Sequence, residues 1–542
     1  MRKLLLYPIL FFACQSASMS QTFTDSNLPI VVINTYGQNI ETPYAKFYVG
    51  MGIIDNGPGN RNYLSDPYNS YNGEVEIKMR GSSSLWLPKK SYNITTVDAI
   101  HQKVKTSILG MPSEDDWVMY APYQDKTCLR NNVAFRIFNA MGHYSSRSVF
   151  FELVIDGTYQ GLYEMQEKIK RNPNRVNISK LKFDEVTGDD VTGGYIIKLD
   201  KYLPGEEGWY SSHYSNATHD SANFFLYEYP KPDSMPIQQR NYIKGFFDVF
   251  ENTVAAPYYA SVDSGYSRYI DMQSFIDNLI VNELAKNVDG YRSSTYFYKD
   301  RDSQNSKLYA GPLWDFNLGF DNCDYNGGHN PAGWMYQQDA YHNFVPFWWE
   351  RFMSDDNFKN QLKCRYQQLR NNVLSTAALY EHIDSMAIFL NESQTRNFQR
   401  WPIMGTAVPP NPTPVPPDYA GEITNLKNWI QNRLTWLDAN MPGSCFVGVE
   451  ENVSSDHLIS SYPNPFTNNI NLVYRVPSST TVKIDLINLL GEVVMPVSSA
   501  ERAAGEYQEE VQAEQLGAGI YLVRLSMNGK VHYHKMVKVA GN

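Results

Sequence analysis

The sequence predicts an α+β protein in two parts, a long mixed region through residue 446 and a small antiparallel β-sandwich at 461–542. Two observations lead there. In the long region strand-like runs alternate with amphipathic helical runs: residues 74–79 alternate polar and apolar as a half-buried strand should, and 272–286 places Phe275, Ile276, Leu279, Ile280 and Leu284 on one buried side. Beyond 461 the helical spacing stops. Short strand-like runs at 470–474, 481–487, 492–496, 506–511, 519–526 and 530–539 then follow one another between turn residues. The 542 residues allow roughly two to four domains at about 150 residues each. A 14% aromatic share, with 39 Tyr, suits strands and half-buried surfaces better than a simple helical bundle.

The chain starts with Met1-Arg2-Lys3, an apolar run at 4–13 and small residues at 14–20. That is the layout of a secretory signal, with cleavage expected between Ser20 and Gln21. Cys14 as a lipid attachment site is the competing reading, and Phe11-Phe12-Ala13 ahead of it fit that poorly. No segment reaches the roughly 20 apolar residues that span a bilayer, so the chain is expected to be exported with no transmembrane segment. A net charge of −10 is mild acidity and argues against a nucleic-acid binder. Past the signal lie Cys128, Cys323, Cys364 and Cys445, which allow three full pairings. No CxxC spacing occurs, which argues against structural zinc; unpaired buried thiols are the plainer reading for one or two of them.

In chain order, 28–35 reads as a strand and 74–79 as a second, which runs into Met79-Arg80-Gly81-Ser82-Ser83-Ser84 and then Pro88-Lys89-Lys90-Ser91-Tyr92. A Gly/Ser turn followed by a lysine on the next strand suits an anion, because small residues let backbone N–H groups approach it. Leu109-Gly110-Met111-Pro112 is expected to end a helix, 117–122 to be a strand and 129–141 a helix. Strands at 150–155 and 161–166 flank Asp156-Gly157-Thr158-Tyr159-Gln160, a hairpin signal. The second of these ends in Glu167-Lys168-Ile169-Lys170-Arg171, which reads either as a solvated charge run at a strand end or as a place where Glu167 pairs with a phosphate-binding lysine. Residues 193–200 form another strand, 202–223 a polar excursion, and 238–251 a helix. Aromatics at Trp334, Tyr336, Tyr341, Phe344, Phe347, Trp348 and Trp349 are expected to cap a core, with the lining of an acceptor groove as the competing reading. Helices follow at 357–372, 376–394 and 423–440, around a Pro-rich surface loop at 408–417. The resulting plan is a signal at 1–20, a main domain at 21–446 with a β-rich N-terminal part, a linker at 447–460 and the small β domain at 461–542.

The stretch at 287–317 holds two acidic groups in a recognisable order. Asp289 in Asn287-Val288-Asp289-Gly290 follows the 272–286 helix, and Asp315 in Trp314-Asp315-Phe316-Asn317 follows two short strands, 294–299 and 307–310, joined by a polar turn. Phosphoryl transfer needs one group to orient the attacking hydroxyl and another to hold magnesium on the phosphates, and protein kinases place two aspartates around a hairpin in this order.

These motifs, with Gly161-Leu162-Tyr163-Glu164-Met165-Gln166-Glu167-Lys168, Gly193-Gly194-Tyr195 and Gly311-Pro312-Leu313-Trp314-Asp315-Phe316, resemble the CotH family of spore-coat-type atypical protein kinases over roughly 28–445. The resemblance implies an atypical protein-kinase-like domain that binds ATP with magnesium or manganese and phosphorylates Ser or Thr hydroxyls of exported proteins or of itself. Residue by residue it makes Asp289 the catalytic aspartate and Asp315 the metal ligand. Lys90, with Lys89 second, becomes the phosphate-binding lysine, Glu167 its acidic partner, and Arg80 an aid at the phosphates. Asn317 stands where members often carry a second aspartate, which lowers the charge offered to a metal. The tail resembles the type A C-terminal sorting domain of type IX secretion cargo through Tyr462-Pro463-Asn464-Pro465-Phe466, Leu490-Gly491, the run from Gly517 to Leu525, and Lys535-Met536-Val537-Lys538-Val539. It implies a partnership with the type IX machinery and a secreted or outer-membrane surface location. A surface adhesion module on the same scaffold is the competing class. A glycosidase with two facing carboxylates ranks third.

Overall fold

The computed structural model describes residues 23–214, 222–338, 345–445, 459–488, 492–527 and 530–539. The expected signal at 1–20, most of the expected linker, Tyr341, Phe344 and Leu490-Gly491 lie outside these residues. The chain is α+β and divides into two units, Met1–Ser444 and Cys445–Asn542.

The first unit begins as a closed barrel of β1 (Ile30–Asn34), β2 (Phe47–Ile54), β3 (Tyr71–Arg80), β4 (Ser91–Val97), β5 (Asp116–Tyr120), β6 (Ser148–Ile155) and β7 (Thr158–Glu167). The order around the wall is β6-β7-β5-β4-β3-β2-β1, and a parallel pairing of β1 with β6 closes it. Period-two alternation in β3 sends Val75, Ile77 and Met79 into a core with Ile94, Trp117, Met119 and Leu153, and leaves Glu76 and Lys78 on the outer face. Asp156 and Gly157, both at positive φ, form a two-residue turn between β6 and β7, tighter than the expected turn at 156–160, because Thr158 already pairs with Ile155. Residues 109–112 do not end a helix. Thr106–Ile108 pairs with Met111–Glu114 across Leu109 and Gly110, whose φ values of +50° and +73° make the pair a strand reversal.

After α1 (Arg130–Ala140) comes a five-stranded antiparallel sheet of β8 (Tyr195–Leu199), β9 (Gly208–Tyr214), β10 (Ala222–Tyr229), β11 (Thr295–Lys299) and β12 (Leu308–Ala310), in the order β9-β10-β8-β11-β12. The polar excursion expected at 202–223 contains β9. As an edge strand it buries only Trp209 and Ser211, so its composition reads as loop. One face of the sheet packs Ile197, Leu199, Phe225 and Phe297 against α2 (Ile237–Ala255), α3 (Met272–Ala285) and the fully buried Trp348 and Trp349, so those tryptophans are core. Each such side chain contributes about 1.5–3 kcal/mol by leaving water. Besides short helical turns at Asp302–Asn305 and Trp348–Phe352, the remaining helices are α4 (Asp356–Arg370), α5 (Thr376–Phe389), α6 (Asn391–Arg400) and α7 (Tyr419–Asn440); the single helix expected at 376–394 is two, broken at Leu390. The Pro-rich loop is tied down by Asn411, whose side chain accepts from Lys126 Nζ at 2.6 Å and donates to the Gln124 carbonyl at 3.0 Å. Cys364 and Cys445 are disulfide-bonded, while Cys128 and Cys323 are buried free thiols.

The second unit contains two antiparallel sheets around one apolar core. Strands β13 (Ile459–Tyr462), β14 (Asn469–Val476), β15 (Thr480–Ile487), β16 (Val493–Arg502), β17 (Gly505–Gln512), β18 (Gly519–Met527) and β19 (Lys530–Lys538) pair as β13-β14-β17 and β16-β15-β18-β19. Ile470, Leu472, Ile484, Leu486, Val523 and Leu525 fill the space they share.

Candidate functional site

The end of α3 fixes the first acidic loop. Asp271 caps the start of the helix, accepting from the Ser274 N–H at 2.8 Å, and Lys286 ends it in the left-handed conformation at φ +43°. The last turn is braced by Glu283, fully buried, which pairs with Arg433 at 3.0 Å and accepts from the Met335 and Tyr336 N–H groups at 2.8 and 2.9 Å and from the Tyr291 hydroxyl at 3.0 Å. From this anchor the chain turns through Asn287, whose side chain accepts from the Asp289 N–H at 3.3 Å, while the Asp289 carbonyl accepts from the Ser293 N–H at 2.9 Å. Gly290 is required here, because a Cβ would lie 2.4 Å from the Asn282 Oδ1.

The second acidic loop leaves β12 at Gly311, where φ is +119° and a Cβ would press on the Phe138 ring at 3.0 Å. The Phe316 N–H donates to the Asn131 side chain of α1 at 2.7 Å, and Asp315 itself sits at φ +63°. A left-handed aspartate is uncommon and costs free energy, which the packing on either side of it supplies. Ser294 hydrogen-bonds the Asp315 carboxyl, joining the two loops.

A third carboxylate arrives from β8. The β8–β11 register pairs Lys198 with Tyr296 and Leu199 with Thr295, so one step further Asp200 comes level with Ser294. Its carboxylate pairs with Lys198 at 2.6 Å and accepts from the Lys201 N–H at 2.9 Å. Burial, then the charges of Asp315 and Asp200, push the Asp289 carboxyl up to about 7, against the pull of Arg292 and Lys201. Asp315 is raised as well, chiefly by burial; Asp200 adds to this and Arg80 and Lys198 oppose it. Arg80, at the end of β3, stacks its guanidinium 5.4 Å from the Trp314 ring, and its pKa is lowered by burial while Asp315 draws it back.

Thus Asp289, Asp315 and Arg80 come together, with Asn317 two positions along the same loop, its carbonyl accepting from the Asn322 amide at 2.7 Å. Lys90 and Glu167 do not join them. The Lys90 ammonium donates to the carbonyls of Leu85 and Leu87, at 2.9 and 2.7 Å, and so ties down the turn at Ser83–Trp86. Lys89 is buried elsewhere, donating to the Leu162 carbonyl and to Asn397 at 2.8 Å. Glu167 is fully buried against Arg147 at 2.7 Å and Arg175 at 3.5 Å, with no lysine partner among the described residues. Asp200 and Lys198 were missed. The only local signal was their place at the end of a strand beginning Gly193-Gly194-Tyr195.

Among the described residues no three His, Cys, Asp or Glu side chains converge as a ready-made metal cage. The donor set is nevertheless all oxygen, the two raised carboxylates of Asp289 and Asp315. That suits a hard divalent ion which takes one or two carboxylates and keeps waters or phosphate oxygens as its other ligands.

Residues 77–437 match the family model described as CotH kinase protein, and residues 460–539 match that of the secretion system C-terminal sorting domain. A search of curated proteins returns no match.

Proposed function

The chain belongs to the CotH kinase protein family and carries a type IX C-terminal sorting domain, and from that premise we propose that it is an exported phosphotransferase. The sorting domain directs it to the type IX machinery and to the cell surface or the medium. On this reading the first unit is an atypical protein-kinase-like domain, the tail is a β-sandwich, and the substrates are ATP and a Ser or Thr hydroxyl of an exported protein or of the chain itself.

The observation that carries the reading is that Asp289 and Asp315, each raised by burial, act on each other, with Ser294 of the first loop bonding the Asp315 carboxyl and the charges of Arg80 and Lys198 opposing its rise. Asp289 would take the proton of the attacking hydroxyl as its oxygen bonds the γ-phosphorus and the bond to ADP breaks; a carboxyl near 7 is matched to that task at neutral pH. Arg80 and Lys198 would face the phosphate charge, with Asp200 holding the Lys198 ammonium in place. Asp315 and Asn317 would hold magnesium, which when bound offsets charge on the phosphate oxygens.

The test is transfer of radiolabel from γ-labelled ATP to the purified full chain or to a Ser-rich acceptor, with Asp289→Asn as the control. Transfer that needs a divalent ion and disappears in the variant supports the proposal. The second reading, a surface adhesion module, is favoured by the diversion of Lys90 and Glu167 into structural contacts. A folded protein that neither transfers label nor shifts its melting temperature with nucleotide would overturn the phosphotransfer reading and favour this one.

A further inference from the structure

Beside the acidic cluster, the outer face of β3, β4 and β5, the segments at 168–171 and 180–183 and the end of β10 enclose a cavity of about 760 Å³. Its described lining carries nine Lys and Arg side chains and three carboxylates, in a protein whose net charge is −10. Like charges this close repel within a screening length of about 8 Å, so such a concentration is stable only with counter-charge. Part of that counter-charge is internal. Lys46 pairs with Glu76 at 2.9 Å, Lys170 with Asp115 and Asp116 at 2.6 and 2.9 Å, and Lys231 with Glu228 at 2.7 Å. The ammonium groups of Lys78, Lys168 and Lys180 have no hydrogen bond or ion pair to a described residue, and they come from three separate segments of the wall. The cavity adjoins the site: Lys168 and Arg80 act on each other electrostatically, as do Glu228 and Lys198.

The lining chemistry narrows the ligand. Eight of the nine cations are lysines, and the one guanidinium, Arg171, donates its Nε–H to the Ile178 carbonyl at 3.1 Å. Phosphate recognition favours forked arginines, whereas lysine ammoniums serve carboxylates equally well as point charges. Glu76, Asp116 and Glu228, interleaved with the lysines, can accept peptide N–H groups. Of the apolar lining, Phe183 is 65% exposed and offers contact, while Ile94, Trp117, Leu181 and Pro230 behind it are buried. A nucleic acid has no backbone N–H groups to offer those carboxylates; an extended peptide has them, and side chains to lay on Phe183.

We propose that this cavity docks a carboxylate-rich, extended segment of the acceptor polypeptide, held by Lys78, Lys168 and Lys180 beside the exposed Phe183. That the peptide is an acceptor rests on the phosphotransfer reading; the binding itself does not.

The experiment is fluorescence anisotropy on the full chain with a labelled Glu/Asp-rich peptide of eight residues containing one Ser, and with its Lys-rich counterpart. The acidic peptide is expected to bind at least tenfold more tightly, to weaken as salt rises, and to lose at least tenfold in Lys78→Glu/Lys180→Glu. Neither of these lysines leaves a partner carboxylate exposed when changed, and Lys78→Ala/Lys180→Ala gives a milder version if the charge reversal misfolds. Equal binding of the two peptides, binding untouched in both double variants, or tighter binding of a thymidine oligonucleotide or sulfated oligosaccharide would overturn the proposal. So would a loss of Mg-ATP affinity in step with the peptide, which would make the cavity the nucleotide pocket. Acidic-peptide binding with no label transfer would sink the phosphotransfer reading and leave the docking site standing; transfer without acidic-peptide binding would do the reverse.

Discussion

The Asp289 carboxyl is raised by burial and by two neighbouring carboxylates, and this makes a two-sided prediction. Its folded pKa of about 7 lies above the roughly 3.9 of an unfolded aspartate, so the folded chain holds that proton more tightly. Its contribution to stability is therefore fully present below pH 4 and is lost as pH rises through 7. Asp289→Asn should melt a few degrees above the native chain at pH 8 in EDTA and no higher at pH 4, while label transfer falls by about 10²- to 10⁴-fold. Asp315→Asn should abolish the magnesium-dependent rise in melting temperature and lower the Asp289 pKa, because one of the charges raising it is gone; titration followed by NMR would show this. The two lysines separate cleanly. Lys198→Met is expected to weaken nucleotide affinity at least tenfold, whereas Lys90→Met should leave it unchanged and only lower the melting temperature, since that ammonium binds two carbonyls of its own turn. The sequence shows a cation after a Gly/Ser turn. It does not show that nearby carbonyls will take it.

At the scale of elements, α3 is the part that aims the site. Its C-terminal turn is held by a charge pair, Glu283 with Arg433 of α7, in which neither side chain is exposed. Breaking such a pair strands a buried charge and typically costs about 3–5 kcal/mol. Arg433→Met should therefore lose that order of stability in urea, and adding Glu283→Gln should restore part of it by removing the stranded charge. The hairpin of β11 and β12 was legible because its strands lie close together in the chain and pair as local register requires. The approach of β8 was not. It pairs with β11 across roughly a hundred residues, and that pairing is what delivers Lys198 and Asp200. The edge strand β9 was missed for a related reason: its exposed residues are polar because it covers one end of a sheet.

At the scale of the molecule, two units each carry their own apolar core. Calorimetry of the full chain should resolve two transitions, and a chain ending at Cys445 should keep the one belonging to the first unit together with its label transfer. A single transition that vanishes on truncation would show instead that the units are energetically inseparable. The sequence by itself determined the α+β class, the strand-rich tail and the family, and it singled out the two aspartates proposed for the site, because periodicity, turn residues and short motifs are properties of neighbours along the chain. Only the tertiary structure decided which cations stand beside those aspartates. Lys90 and Glu167 spend their charge on nearer partners, and Arg80, Lys198 and Asp200 reach the site through strand pairing and packing, where distance in sequence carries no information about distance in space.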